Sequence, residues 1–473
     1  MSFSSTGRFL FAFLTLCAVL YVVPVIGQHE THGHHIQVGN DSLPQTLGRD
    51  LDKGSFEFHA RSFFMHTDNK GDLLNYNALA AGAGIGYFSP SWKGFHFGFS
   101  GFFVFQLTEH NIYREDSQTG SGNRYELLLF DMNDFNNRGD LDRLEELYID
   151  YEYKNLNITL GRQIFNSPFL NEQDNRMRAN LFSGLSARYK TGNWKFTGAF
   201  FDRVTIRGTV EWYTMEESYG VYPFGRNPFG TPSRYKENVE TLGIGVGGVH
   251  FKNDKRHFQL WNYYNENVFN MAFGQHEEVF TTKFIDVLAG VQGFYQSALN
   301  NGGNENPEMA YILPDESTFG AGAQLGLQTH VHTLTANYLQ ISKQGRFLFP
   351  REWGREQFFA SLPRERFEGS GGVTSLMMKY EIEPTKTNWK LELGASKVDH
   401  AELTDYENNK YGIPSYYHFM TGAEYEFKGY FEGLDLRFFA VHKKAQNANT
   451  VADDFRINRV DLWNFNVILD YRF

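Results

Sequence analysis

The chain has 473 residues and sets 44 Lys and Arg against 55 Asp and Glu, a formal charge of -11 at pH 7. Its single cysteine excludes a disulfide framework, a Cys-based zinc or iron–sulfur centre and a CxxC redox pair, and an acidic balance without a basic block excludes a nucleic-acid binder. At 17% aromatic the chain is too rich in rings for disorder, yet its mean hydropathy is -0.45, so the rings must be segregated from an equally abundant polar fraction.

At the N-terminus, Arg8 precedes an apolar run from Phe9 to Val23, followed by Pro24, Val25, Ile26 and Gly27. A basic start, a short apolar core and small residues predict a secretory signal over residues 1–27, too short for a membrane span. Residues 28–50 then read as a flexible, solvated segment. Its His29, His32, His34 and His35 are a weak metal-ligand pattern at most. No other ligand cluster presents itself, and no cofactor is expected.

From residue 51 onwards the period is two. In the first strand Phe56, Phe58 and Ala60 alternate with Glu57, His59 and Arg61. Phe95, Phe97, Phe99, Phe103 and Phe105 form the next aromatic row. Leu147, Ile149, Tyr151 and Tyr153 turn at Lys154-Asn155 into Leu156, Ile158 and Leu160. Leu185, Ala187 and Tyr189 turn at 191–193 into Trp194, Phe196 and Phe200. Gly243, Gly245, Gly247 and Gly248 fall in an alternating strand and read as thin wall rather than a phosphate cradle. Leu376, Met378, Tyr380 and Ile382 pair with Trp389, Leu391 and Leu393. The last strand carries Trp463, Phe465, Val467, Leu469, Tyr471 and Phe473 on one face. Strand side chains point alternately to opposite faces, so each segment has one greasy face and one mainly polar one. Rings at the strand ends with aliphatics between them suit a lipid-facing strand with aromatic girdles.

No later run is long enough for a membrane helix. Short turns alternate with long polar stretches at 109–124, 132–143, 211–240, 300–317, 345–372 and 400–415. That is the layout of a transmembrane antiparallel β-barrel with short periplasmic turns and long extracellular loops. At about 9–11 residues per strand the chain accommodates 16 to 18 strands, enough to enclose an aqueous channel. Residues 51–473 are therefore expected to be a single all-β barrel domain, exported by the signal to a Gram-negative outer membrane.

Parity sends Arg61, Arg188, Lys195, Lys379, Lys390 and Arg437 into the lumen, with Arg203 and Arg472 beside them. Two readings stand side by side. The cations form a basic track that concentrates anions, or they are ordinary lumen charge paired across the pore. No nucleophile elbow, HExxH or phosphate loop supports an enzyme. A β-rich outer-membrane or secreted hydrolase, or a carbohydrate-binding protein, is the alternative.

The stretch Gly161-Arg162-Gln163 through Pro168, Asp174, Arg176 and Arg178 resembles the signature of the OprD-type outer-membrane porins. Ala60–Asp68, Phe349–Glu356, Leu434–Arg437 and Asp470–Phe473 resemble further segments of that family, in the same order. The resemblance implies an 18-stranded monomeric barrel narrowed by inward-folded loops. It also implies an arginine ladder facing an acidic pocket, passing small carboxylate-bearing solutes such as amino acids, organic acids or peptides. Arg61 and Arg437 fall on ladder positions, while Thr67 and Phe439 depart from the family's basic residues. Arg162, Asp174, Arg176, Arg178, Arg351 and Arg355 are the constriction or loop-anchoring candidates, with Glu352 and Glu356 as ion-pair partners. Arg162 shares parity with the apolar row and belongs at the rim. Expected partners are lipid and lipopolysaccharide, small anionic or zwitterionic solutes, and the barrel-assembly machinery through the C-terminal aromatic strand.

Overall fold

The computed structural model describes residues 53–473 except 174, 175 and 224. The expected signal, the four tail histidines and Asp174 lie outside the described residues. The elements are β1 (Ser55–Asn69), β2 (Tyr76–Phe88), β3 (Phe95–His110), β4 (Asp142–Tyr153), β5 (Leu156–Gln163), β6 (Leu181–Thr191) and β7 (Trp194–Thr205). There follow β8 (Trp212–Thr214), β9 (Ile244–Lys252), β10 (Arg256–Asn265), β11 (Phe269–Thr281), β12 (Asp286–Ala298) and β13 (Ser317–Gln328). The remainder are β14 (His332–Ile341), β15 (Thr374–Ile382), β16 (Trp389–Asp399), β17 (Tyr416–Glu426), β18 (Leu434–Ala445) and β19 (Leu462–Arg472).

All wall pairings are antiparallel between neighbours in sequence, and β1 closes the ring on β19 in a register that runs from His59 opposite Arg472 to Asn69 opposite Leu462. The three-residue β8 only doubles back on the end of β7, which pairs onward with β9. Eighteen of the 19 strands therefore form a closed antiparallel barrel. Closure removes the edges that hydrocarbon does not tolerate.

Connections segregate by end. The turns at 89–94, 154–155, 192–193, 253–255, 282–285, 329–331, 383–388 and 427–433 are short and lie at the end where β1 starts and β19 finishes. The opposite end carries the long connections 111–141, 164–180, 206–243, 299–316, 342–373, 400–415 and 446–461, together with the short ones at 70–75 and 266–268. The two polar stretches expected at 109–124 and 132–143 merge, because the apolar Tyr125–Phe130 between them makes a single 3-10 turn at Leu127–Leu129. Residues 111–141 are consequently one loop.

The alternation sorts as the sequence implies. The rows Phe95–Phe105, Leu147–Tyr153, Leu185–Phe200 and Leu376–Leu393 are largely exposed on the outer surface. Opposite-parity Asp150, Thr159, Ser186 and Thr197 are buried within. Exposed apolar rings on the outside of a closed barrel make physical sense only against lipid. Gly248 points inward and makes room for Trp261, whose ring a Cβ at that position would strike.

This wall predicts a depth-dependent cost. Val291→Arg, on the outer face near the centre of β12, should lower stability by about 2–4 kcal/mol, whereas Phe284→Arg in the 282–285 turn should cost about 1 kcal/mol or less. Urea unfolding in lipid vesicles reads both.

Candidate functional site: a basic constriction

The lumen is not an open water-filled tube. Several strands are apolar on both faces, as in Phe102-Phe103-Val104-Phe105, and their inward residues need a cover. Loops folded into the barrel supply it. Phe347, Leu348, Phe349, Trp353, Phe358, Leu362 and Phe367 of the 342–373 loop pack on Val246, Tyr263, Met271, Phe273 and Phe294 of the wall. Phe169, from the 164–180 loop, is the hub. Its ring centroid lies 5.1 Å from Phe273, 5.5 Å from Phe349, 5.6 Å from both Tyr263 and Phe358, and 5.8 Å from Phe347. Gly354 passes so close to the Phe169 carbonyl that a Cβ would collide with it. A second, smaller cluster covers another part of the wall, with Phe63, Met65, Tyr76, Phe102 and Val104 meeting Ile112, Leu129 and Phe130 of the 111–141 loop.

Polar locks hold these loops in register. Lys410 is buried against Glu368, at 3.1 Å, and its ammonium stands 4.8, 5.0 and 5.2 Å from the rings of Tyr235, Tyr311 and Tyr411. These residues join four separate loops through one ion pair in an aromatic cage. Arg366 binds Glu356 at 2.9 Å and donates to the Gly354 and Arg351 carbonyls at 2.6 and 2.9 Å. Arg178 donates to the Leu141 and Phe130 carbonyls at 2.7 and 3.0 Å, and Arg143 to those of Ile206 and Ala179 at 3.1 and 2.6 Å.

Among the inward-folded loops lies a space of about 70 Å³. Nine of its fifteen lining residues are cationic. Arg124, Arg176 and Arg207 come from the earlier loops, Arg351, Arg355, Arg364 and Arg366 from the 342–373 loop, and Lys443 and Arg459 from the last strand pair. Arg364 has a left-handed backbone, with φ at +67°, a conformation costing about 1–3 kcal/mol for a residue with a Cβ. The strain is sustained by Lys443, which donates to its carbonyl at 2.7 Å, and by its guanidinium bonds to Asn464, at 3.0 Å, and Asn466. Arg355 is fixed by Ser361 Oγ and the Leu362 carbonyl, both at 2.8 Å.

Crowding marks the site electrostatically. Burial first, then Arg207, pushes the Arg364 guanidinium down to about 9, and burial followed by Arg364 and Arg207 holds Arg176 well below the usual arginine range. Arginines do not lose their proton in such surroundings, so the depression reflects burial first and like charge second, whereas Tyr411 and Glu368 overcome burial and push Arg351 on the same lining upward. Glu365 is the one carboxylate on this lining among the described residues, and it is engaged. It accepts from Tyr416 Oη at 3.0 Å, His418 Nδ1 at 3.1 Å and the Leu362 amide at 2.9 Å. Although burial works against its charge, His418 holds its carboxyl down to about 2.

The sequence-derived residues divide among three settings. Arg176, Arg351 and Arg355 reach the constriction. Arg178 staples loop carbonyls. Arg162 faces outward, its guanidinium 4.7 Å from the Trp212 ring, where it pins the β8 hairpin to the rim. The six lumen cations lie on the inner wall, four of them, Arg61, Lys379, Lys390 and Arg437, bonded to acids. Arg61 donates to Asp470 at 2.5 Å and to the Arg176 carbonyl at 2.7 Å, tying the wall to the 164–180 loop. Lys379 meets Glu381 and Glu392 at 3.1 and 3.0 Å, and Lys390 meets Glu383 at 3.0 Å. Arg437 forms a two-pronged pair with Glu424 at 2.8 and 3.2 Å. Arg188 stands 6.0 Å from the Phe165 ring, and Lys195 lies opposite His250. For the Lys379, Lys390 and Arg437 positions the paired-charge reading describes the geometry. The concentrated cationic field sits higher, in the loops.

Arg124, Arg207, Arg364, Arg366, Lys443 and Arg459 escape the sequence reading. Lys443 had a usable signal, since it shares parity with Arg437 and Phe439 on β18. The others sit in aperiodic loops whose inward folding no alternation encodes.

No protein-family model matches the sequence and no curated protein matches it. Solved structures do match in fold. Pseudomonas aeruginosa OccD3 (OpdP) superposes with a TM-score of 0.65 at 14% identity, covering 89% of this chain and 91% of that one. Pseudomonas aeruginosa OccK9 (OpdG) gives 0.68 at 12% identity, covering 89% and 99%. Pseudomonas aeruginosa OpdK with vanillate gives 0.65 at 12%, covering 89% and 98%. The architecture is thus a closed 18-stranded antiparallel barrel, the fold of the OprD-type outer-membrane porins.

Lys410→Met should loosen the constriction, because it strands the buried Glu368 carboxylate at a cost of about 3–5 kcal/mol. Its expected signature in single-channel recording is a noisier open state of larger conductance than the parent's.

Proposed function

We propose that the protein is a passive outer-membrane channel that favours small anionic, carboxylate-bearing solutes. The observation that carries this reading is the mainly cationic lining of a small space among the inward-folded loops of a closed, lipid-facing barrel. A solute crossing there gives up water while facing fixed guanidiniums across a few ångströms. Anions are stabilised and cations repelled, and the low-dielectric loop packing on either side strengthens both effects. Planar guanidiniums held by side-chain amides, hydroxyls and carbonyls present parallel N–H pairs matched to carboxylate oxygens. The barrel fold shared with OpdK, a channel-fold protein solved with the small carboxylate vanillate, accords with this reading.

Transport is diffusion down a gradient through a static filter. On β15–β18 the acids Glu381, Glu392, Glu424 and Asp435 outnumber Lys379, Lys390 and Arg437, so any preference for anions is set at the loop cluster. Planar-bilayer recording of the purified protein should give discrete conductance steps, and folded protein that never conducts would remove the proposal. In the same assay Arg364→Glu should shift the zero-current potential towards cations by more than Arg437→Glu does, because only Arg364 faces the narrow passage. Equal shifts would move the selectivity filter elsewhere.

A further inference from the structure

Resting on the channel reading above, we infer that the constriction selects solutes by their number of negative charges, favouring small bodies with two or more carboxylates or phosphates and disfavouring amino-acid-like zwitterions. The inference starts from the lining itself, eight arginines and Lys443 against Glu365 alone among the described residues. A zwitterion needs an acceptor for its ammonium beside the cations that take its carboxylate. Glu365 is poorly suited to that task, since its oxygens already hold Tyr416, His418 and the Leu362 amide.

Unsatisfied donors point the same way. The Nε–H groups of Arg351, Arg355 and Arg459 are buried without an acceptor. Buried donors of this kind are ordinarily bonded, and here they project from side chains that line one small space. What would satisfy them is an acceptor-only body with several charged oxygens. Attraction to a fixed cationic cluster grows with the charge of the solute, so a second or third anionic group gains from guanidiniums that a monoanion leaves unused. The cations also come from different sides, namely the 111–141, 164–180, 206–243, 342–373 and 446–461 loops and β18, so that separate anionic groups on one solute can each find a partner.

The test is block of the potassium chloride current through the full chain in a planar bilayer, with inorganic pyrophosphate, citrate, acetate and lysine as probes at matched ionic strength. Pyrophosphate and citrate should each halve the current at concentrations about tenfold or more below that of acetate, and lysine should not compete. Pyrophosphate acting without citrate would assign the site to phosphates, and the reverse to polycarboxylates. Acetate as potent as both would overturn the inference, as would block by lysine at acetate-like concentrations. Arg355→Gln should weaken block by the multivalent probes more than by acetate. Should that variant fail to insert, the wild-type potency ratio and its decline with rising salt still decide the matter. A channel that conducts but prefers cations would instead refute the proposed function, which separates the two failures.

Discussion

Backbone pairing in hydrocarbon is the constraint on which the rest of this molecule depends. A strand inside a bilayer has no water to satisfy its amides, so the sheet must close, and it does so between β1 and β19. That seam carries more than backbone bonds. Arg61 on β1 holds Asp470 on β19 and reaches the Arg176 carbonyl, coupling closure of the wall to the position of the loop beneath the filter. Once the outer face is committed to lipid, an 18-stranded ring is too wide to be filled by its own side chains. The interior must then be organised by something else.

Here it is organised by loops that carry their own apolar core into the barrel. Two clusters, anchored by Phe169 and Trp353 and by Phe102 and Phe130, fill much of the interior, and the loops that carry them also bring the cationic lining together. Packing and electrostatics are therefore one device. The apolar masses hold the arginines close together and keep water from screening them. The backbone and side-chain carbonyls that fix Arg355, Arg364 and Arg366 do so without neutralising more than Arg366. Burying like charges this way is costly, and the left-handed backbone at Arg364 adds to the cost. The lipid-supported wall and the Lys410 cage are the compensating stabilisation.

What was legible in the sequence follows from the same division. Alternation reads out the wall because lipid forces one face of each strand to be apolar, and the rows from Phe95 to Phe105 and Trp463 to Phe473 required nothing more. Alternation also put Arg188, Lys195, Lys379 and Arg437 on the inner side, but parity is blind to neighbours across the sheet, and it is those neighbours, Glu392 and Glu424, that neutralise two of the four. Where strands are apolar on both faces, as at Phe102 and Val104, parity failed to announce that the lumen there is packed rather than wet. The filter was least legible. Arg207, Arg364 and Arg459 acquire meaning only when distant loops converge, and the resemblances around Gly161 and at Phe349–Glu356 brought just Arg176, Arg351 and Arg355 into view.

The central claim is that this converged cluster, rather than the acidic average of the chain, governs what passes. The zero-current potential of the wild-type channel between unequal potassium chloride solutions tests it most directly. A filter governed by these guanidiniums gives a potential of the sign that chloride flux sets, shrinking as salt is raised and the guanidiniums are screened. A potential set by potassium, in keeping with the net charge of -11, would contradict it.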